Sequence, residues 1–257
     1  MIQLKNETMS ISSKYCGPPL SGNGGFSAGS AAQKLNSLSS IVKIKAPVPL
    51  NSELQVNFDP DFYSALIDIS SGVVAVEAEP APDFKLDLPK PMSQEIIMQA
   101  SKDYLGFIKH PFPSCFVCGP ERKDKDGMRI FSGKVTDQPG FKHLHGANWD
   151  PWRELGDESG FVRKEIVWAA LDCPGGFAVS TEDPQMIVLV KLTGRILSSI
   201  RVEESYRILS WEIHRNRRAR TAGTAIFQSQ DDVCVAYSEG VWMIPGNWNS
   251  ENQRKEN

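Results

Sequence analysis

The sequence predicts an α+β fold built twice, with a helix of small residues followed by antiparallel strands in each half of the 257-residue chain. Two observations carry this. Leu20-Ser21-Gly22-Asn23-Gly24-Gly25-Phe26 and Leu171-Asp172-Cys173-Pro174-Gly175-Gly176-Phe177 share the pattern L-x-x-x-G-G-F, so the chain looks duplicated. After each copy come short apolar runs separated by turn residues, the signature of strands. A helix that precedes hairpins in this order packs on one face of an antiparallel sheet. With 40% hydrophobic and 23% charged residues, the composition supports a sizeable core.

Residues 1–15 are polar and read as a poorly ordered start or a short edge strand. Cys16-Gly17-Pro18-Pro19 is a turn that cannot be helical. Residues 24–35 read as a helix pressed against a sheet, because Gly and Ala let backbones approach; the alternative is a Gly/Ser loop. Strands follow at 41–45 and 53–58, with Pro47-Val48-Pro49-Leu50 breaking the ladder at an edge or bulge. Two more, 64–69 and 73–78, flank the Ser70-Ser71-Gly72 turn. From Glu79 to Pro91 prolines and acids alternate as in a linker or surface arm. A helix is expected from Ser93 to about Leu105.

Residues 110–120 form a turn-rich entry to the second half, and Asp126-Gly127 precedes a strand at 128–131. Residues 136–160, polar and rich in Gly, Pro and Trp, read as a long loop. The apolar run Ile166–Leu171 ends on Asp172, and Pro174 either kinks a helix begun near Ile166 or opens a new one after Asp172. Strands are then expected at 186–192, 196–202, 206–214, 220–228 and 233–243. The units are therefore 1–90, a linker helix at 91–109, a second unit at 110–248 and a disordered tail at 249–257.

A net charge of −3 gives no electrostatic reason to expect nucleic acid or an anionic membrane as partner. No apolar run approaches the ~18 residues of a membrane span, and the start has no signal-peptide core. Five cysteines without scaffold spacing suit free thiols in a reducing compartment. A cytoplasmic protein is expected.

Several segments resemble one family. Cys115-Phe116-Val117-Cys118-Gly119-Pro120 with Asp126-Gly127-Met128-Arg129-Ile130-Phe131 resembles the opening strand of thioesterase-like hotdog proteins. Val167-Trp168-Ala169-Ala170-Leu171-Asp172 resembles their central-helix segment with its catalytic carboxylate. Asn23-Gly24-Gly25-Phe26 and Pro47-Val48-Pro49-Leu50 resemble the Gly-Gly helix start and edge strand of double-hotdog acyl-CoA thioesterases. Val235-Ala236-Tyr237-Ser238-Glu239-Gly240-Val241 resembles their last strand. The resemblance implies a double hotdog, two antiparallel sheets each wrapped around a central helix. It also implies hydrolysis of an acyl-CoA-type thioester without cofactor or metal, and a possible homodimer of double hotdogs. The rival readings are a non-catalytic acyl-CoA-binding module and an acyl-thioester hydratase or dehydratase. The last normally needs a His near the Asp, and none stands near either Gly-Gly segment.

On this reading Asp172, desolvated in an apolar run, activates water or attacks directly. The Gly24 and Gly25 N–H groups, with Asn23, form an oxyanion hole at a helix start. Ser238 stands where the family carries a water-holding Gln, and its hydroxyl is shorter. Without the resemblance, Asp172 reads as a helix cap. Cys173 reads as a nucleophile or a small buried side chain. Arg215, Arg217, Arg218 and Arg220 read as solvated hairpin charges or a clamp for coenzyme A phosphates. Trp149 and Trp152 read as an acyl-pocket lid or as packing. Cys115-x-x-Cys118 reads as turn cysteines, or as half a zinc site completed by His110 or by His143-x-His145.

Overall fold

The computed structural model describes residues 4–180 and 186–245. The first half holds β1 (Lys5–Ser10), α1 (Gly24–Ala32), β2 (Ser39–Ile44), β3 (Glu53–Asp59), β4 (Tyr63–Asp68) and β5 (Val74–Pro80). Helix α2 (Gln94–Lys102) leads into β6 (Gly133–Lys134) and β7 (Lys142–Trp149). Then come α3 (Lys164–Ala170), α4 (Cys173–Ala178), β8 (Val188–Ile196), β9 (Tyr206–Arg215), β10 (Ala219–Gln228) and β11 (Cys234–Met243). The expected tail at 249–257 lies outside the described residues.

The strands form one antiparallel sheet of eleven among the described residues, in the order β1-β3-β4-β5-β2-β8-β11-β10-β9-β7-β6. This corrects the expectation of two sheets. Strand β2 pairs antiparallel with β8 from Ser39↔Arg195 to Lys43↔Lys191, so the two halves share a continuous ladder. The repeat is nonetheless plain in the topology, because β1-β3-β4-β5-β2 has its counterpart in β7-β9-β10-β11-β8. In both halves the strand after the helix returns to the seam and the next three run as a meander.

Helix α1 lies against β2, β4, β5 and β8, and α4 against β7, β9, β10 and β11. Helices α1 and α3 touch each other closely because α1 presents glycines there. A Cβ at Gly25 would fall 2.4 Å from the Trp168 carbonyl oxygen, and one at Gly29 2.6 Å from Glu165 Cα. One large apolar core takes residues from both halves. The Pro-rich arm after β5 packs Phe84, Leu86 and Leu88 onto a second, smaller core in the C-terminal half.

Three local expectations need correction. The loop expected at 136–160 contains β7, whose Leu144, Ala147 and Trp149 are buried. Residues 128–131 bond through the Met128 and Ile130 amides to the Phe116 and Val117 carbonyls, without forming a strand. The break expected at Gly194 is absent, since β8 runs through it to Ile196, and the strand expected at 196–202 does not form: residues 197–202 hold only the isolated bridge of Arg201 to Phe161. Glycine at 194 admits the Trp168 ring, whose Cη2 lies 3.0 Å from a Cβ built at that position. The helix near Pro174 resolves into two short ones, with Pro174 in the first turn of α4, where a missing N–H costs nothing. No helix among the described residues is long and apolar enough to cross a membrane.

Candidate active site

The break between α3 and α4 places Asp172 outside both helices, at the start of α4, where its side chain makes no cap bond to that helix. The carboxylate reaches across to α1 instead. Its Oδ2 accepts the Gly25 amide at 2.8 Å and the Asn23 Nδ2 at 3.4 Å. The Trp242 indole on β11 also hydrogen-bonds to it. Asn23 is itself the N-cap of α1, its Oδ1 accepting from the Phe26 amide at 2.9 Å. One end of α1 is thus capped twice, from its own segment and from the opposite half.

Asp172 is only 4% exposed. Burial raises its pKa to about 7, outweighing the Gly25, Trp242 and Asn23 donors that favour the charged form. Gly24, the first residue of α1, has no intrahelical acceptor for its N–H and no other partner among the described residues. A Cβ on Gly24 would stand 3.1 Å from Asp172 Oδ2, so Gly24 lies beside the carboxylate.

Three hydroxyls on neighbouring strands lie in register beneath the helix break: Ser210, Thr224 and Ser238. Ser238 Oγ donates to the Leu171 carbonyl at 3.1 Å, and Ser210 Oγ to the Pro174 carbonyl at 2.9 Å. Ser238 therefore meets the backbone just before Asp172, and holds a carbonyl that the interrupted helix leaves without its usual donor.

Beside the carboxylate lies a group of thiols. The sulfurs of Cys115, Cys118 and Cys173 are all within 4.8 Å of one another. The Cys115 and Cys173 sulfurs are 3.8 Å apart, and the Asn23 Nδ2 lies 3.9 Å from the first and 3.6 Å from the second. The thiols of Cys118 and Cys173, pointing at Cys115, lower its pKa, while burial raises that of Cys118 and the bond to Cys115 raises that of Cys173. Neither His110 nor the His143/His145 pair belongs to this group. His110 instead lies against Tyr104 and Phe177, and His145 is buried beside the Ser132 carbonyl.

The other residues singled out in the sequence lie elsewhere. Trp149 is 1% exposed on β7, within the core, so it forms no lid; Trp152 is half-buried against the same core. Arg215 binds Glu212 and, with Arg220, the Val179 carbonyl at the C-terminal end of α4, where a cation complements the helix dipole. Arg217 and Arg218 are exposed at the β9–β10 turn. Trp242 was missed, although strand alternation sets it on the same face as Ser238 and Gly240. A surface cleft of about 220 Å³ opens between the end of α1 and the start of α3, with Gln33, Lys164, Trp168 and Ile196 in its wall.

The sequence matches no protein-family model and no curated protein. Its fold does match solved structures. A protein of unknown function with a hot dog fold from Alicyclobacillus acidocaldarius superposes with a TM-score of 0.59 at 11% identity, over 95% of this chain and 94% of that one. A protein assigned as a thioesterase from Novosphingobium aromaticivorans gives 0.60 at 9% identity, over 94% and 96%. The tesB protein of Mycobacterium avium subsp. paratuberculosis gives 0.58 at 9% identity, over 93% and 92%. At these identities the likeness is one of architecture, and the architecture of this chain is the hotdog fold.

Proposed function

We propose that the chain is a double hotdog, with units at 1–90 and 110–248 joined by 91–109, that hydrolyses an acyl-CoA-type thioester between its halves. Asp172 takes a proton from a water molecule as that water attacks the thioester carbonyl. The Gly24 N–H at the start of α1 stabilises the developing oxyanion. This differs from the sequence-based assignment in one respect: the Gly25 amide and Asn23 hold the carboxylate rather than the oxyanion. The observation that carries the reading is the 2.8 Å bond from Gly25 to Asp172 Oδ2, which fixes a buried carboxylate against a helix N-terminus from the other half. The names of the fold relatives point to the same chemistry.

The test is release of free thiol from a panel of acyl-CoAs. Asp172→Asn keeps the shape but loses the base, and is expected to lower kcat by about 10²–10⁴-fold. Unchanged turnover in that variant removes Asp172 from the chemistry. Saturable acyl-CoA binding with no thiol release by the wild-type chain identifies a binding module instead, and hydration without thiol release identifies a hydratase.

A further inference from the structure

We propose that Cys115, Cys118 and Cys173 form a three-thiolate binding site for a single thiophilic ion of the zinc(II) class. The sequence offered only a Cys-x-x-Cys pair and looked to histidine for completion; the fold supplies a third sulfur from the start of α4. A tetrahedral ion with metal–sulfur bonds of about 2.3 Å holds its sulfurs about 3.8 Å apart. Cys115 and Cys173 already stand 3.8 Å apart, and the third sulfur is within 4.8 Å of both. A disulfide has its sulfurs at about 2.0 Å and uses two of them, leaving a third without a role.

The supports of the three sulfurs are rigid and come from separate elements. The Cys115–Cys118 turn closes through the Gly119 amide on the Cys115 carbonyl at 2.9 Å. Only glycine fits at 119, since a Cβ there would meet the Pro113 and Cys115 carbonyl oxygens at 2.4 and 2.5 Å. The Val117 and Cys118 amides hydrogen-bond the Cys115 sulfur. Phe116 packs edge-on to Tyr15, and Tyr104 Oη donates to the Cys118 carbonyl at 3.0 Å. Cys173 is followed by Pro174, which fixes the backbone. Asn23 Nδ2 donates to two of the sulfurs, the outer-shell bond that orients thiolate ligands. Cys173 is the least buried of the three cysteines. Each coordinating thiol releases its proton to solvent, and three protein ligands leave a fourth position for water or another small donor.

The test uses the full-length, reduced, chelator-stripped protein, titrated with cobalt(II) as the spectroscopic stand-in for zinc and then with zinc. The expected result is a thiolate-to-cobalt charge-transfer band that saturates at one equivalent and is bleached by one equivalent of zinc. Cys173→Ser, checked for folding by circular dichroism, loses the band, and Asn23→Ala weakens binding about 10–100-fold. Cys234→Ser, outside the group, leaves the titration unchanged. A folded, reduced wild-type chain that gives no charge-transfer band and takes up no stoichiometric zinc overturns the proposal. So does a band that survives Cys173→Ser at full intensity. None of these readouts involves hydrolysis, so this proposal and the thioesterase reading fail separately.

Discussion

Asp172 and His145 are both buried ionisable groups, and burial pushes each towards its uncharged form. Removing the Asp172 side chain leaves the Gly25 and Trp242 donors without their acceptor, each worth about 1–3 kcal/mol when buried and unpaired, while Asn23 keeps the Cys115 and Cys173 sulfurs. Asp172→Ala is therefore expected to unfold at markedly lower urea than Asp172→Asn, which keeps a carbonyl oxygen facing the Gly25 amide. Urea midpoints of the two variants check this, and equal midpoints would mean the carboxylate caps nothing. His145 is 1% exposed, and burial pushes its pKa down to about 4. Its unfolded pKa is near 6.5, so between those values the unfolded chain binds a proton that the folded one refuses. Its contribution is complete above pH ~6.5 and is lost as pH falls towards ~4, at a cost approaching about 3 kcal/mol. His145→Gln should flatten that acid limb in urea denaturation; a limb as steep as wild type assigns the acid sensitivity to other groups.

Among the elements, α1 depends most on single side chains being absent. Gly29→Ala gains about 1 kcal/mol of helix propensity. It also places a Cβ 2.6 Å from Glu165 Cα and 2.7 Å from Trp168 Cβ on α3, where backbone cannot retreat. Overpacking of this kind costs about 1–3 kcal/mol, so a net loss of stability is expected on thermal denaturation, and a rise in Tm would show that the helices can separate. The small-residue run of α1 was legible as a helix in close contact because Gly and Ala let backbones approach, but the partner that Gly25 and Gly29 meet is α3 rather than the sheet expected. Strands β2 to β5 were legible because their apolar residues alternate. Strand β7 was not, since His143, His145, Gly146 and Asn148 give it the composition of a loop and its burial comes only from tertiary pairing with β9. Gly194 was read as a break because the Trp168 ring that requires it is distant in sequence. The carboxylate and the glycines opposite it were visible as residue types. Their contact through Gly25, the Trp242 bond and the third sulfur beside Cys115 and Cys118 depend on how the halves dock, which local pattern does not encode.

Over the whole molecule, the β2–β8 seam and the shared core tie the halves into one sheet, so they are expected to unfold together. The six tryptophans make this directly testable, because all of them lie at or beyond residue 149. Leu66 on β4 is fully buried, and Leu66→Ala should cost about 2–5 kcal/mol. If the sheet is one cooperative unit, tryptophan fluorescence from the second half and far-ultraviolet circular dichroism from both must shift to the same lower urea midpoint. A fluorescence midpoint that stays at the wild-type value while the dichroism splits into two transitions would mean that each half folds alone. The site would then have to assemble by docking of preformed units. Asp172 takes its acceptor geometry from a helix in the other half, so coincident transitions also predict that activity and tertiary signal disappear over the same range of urea.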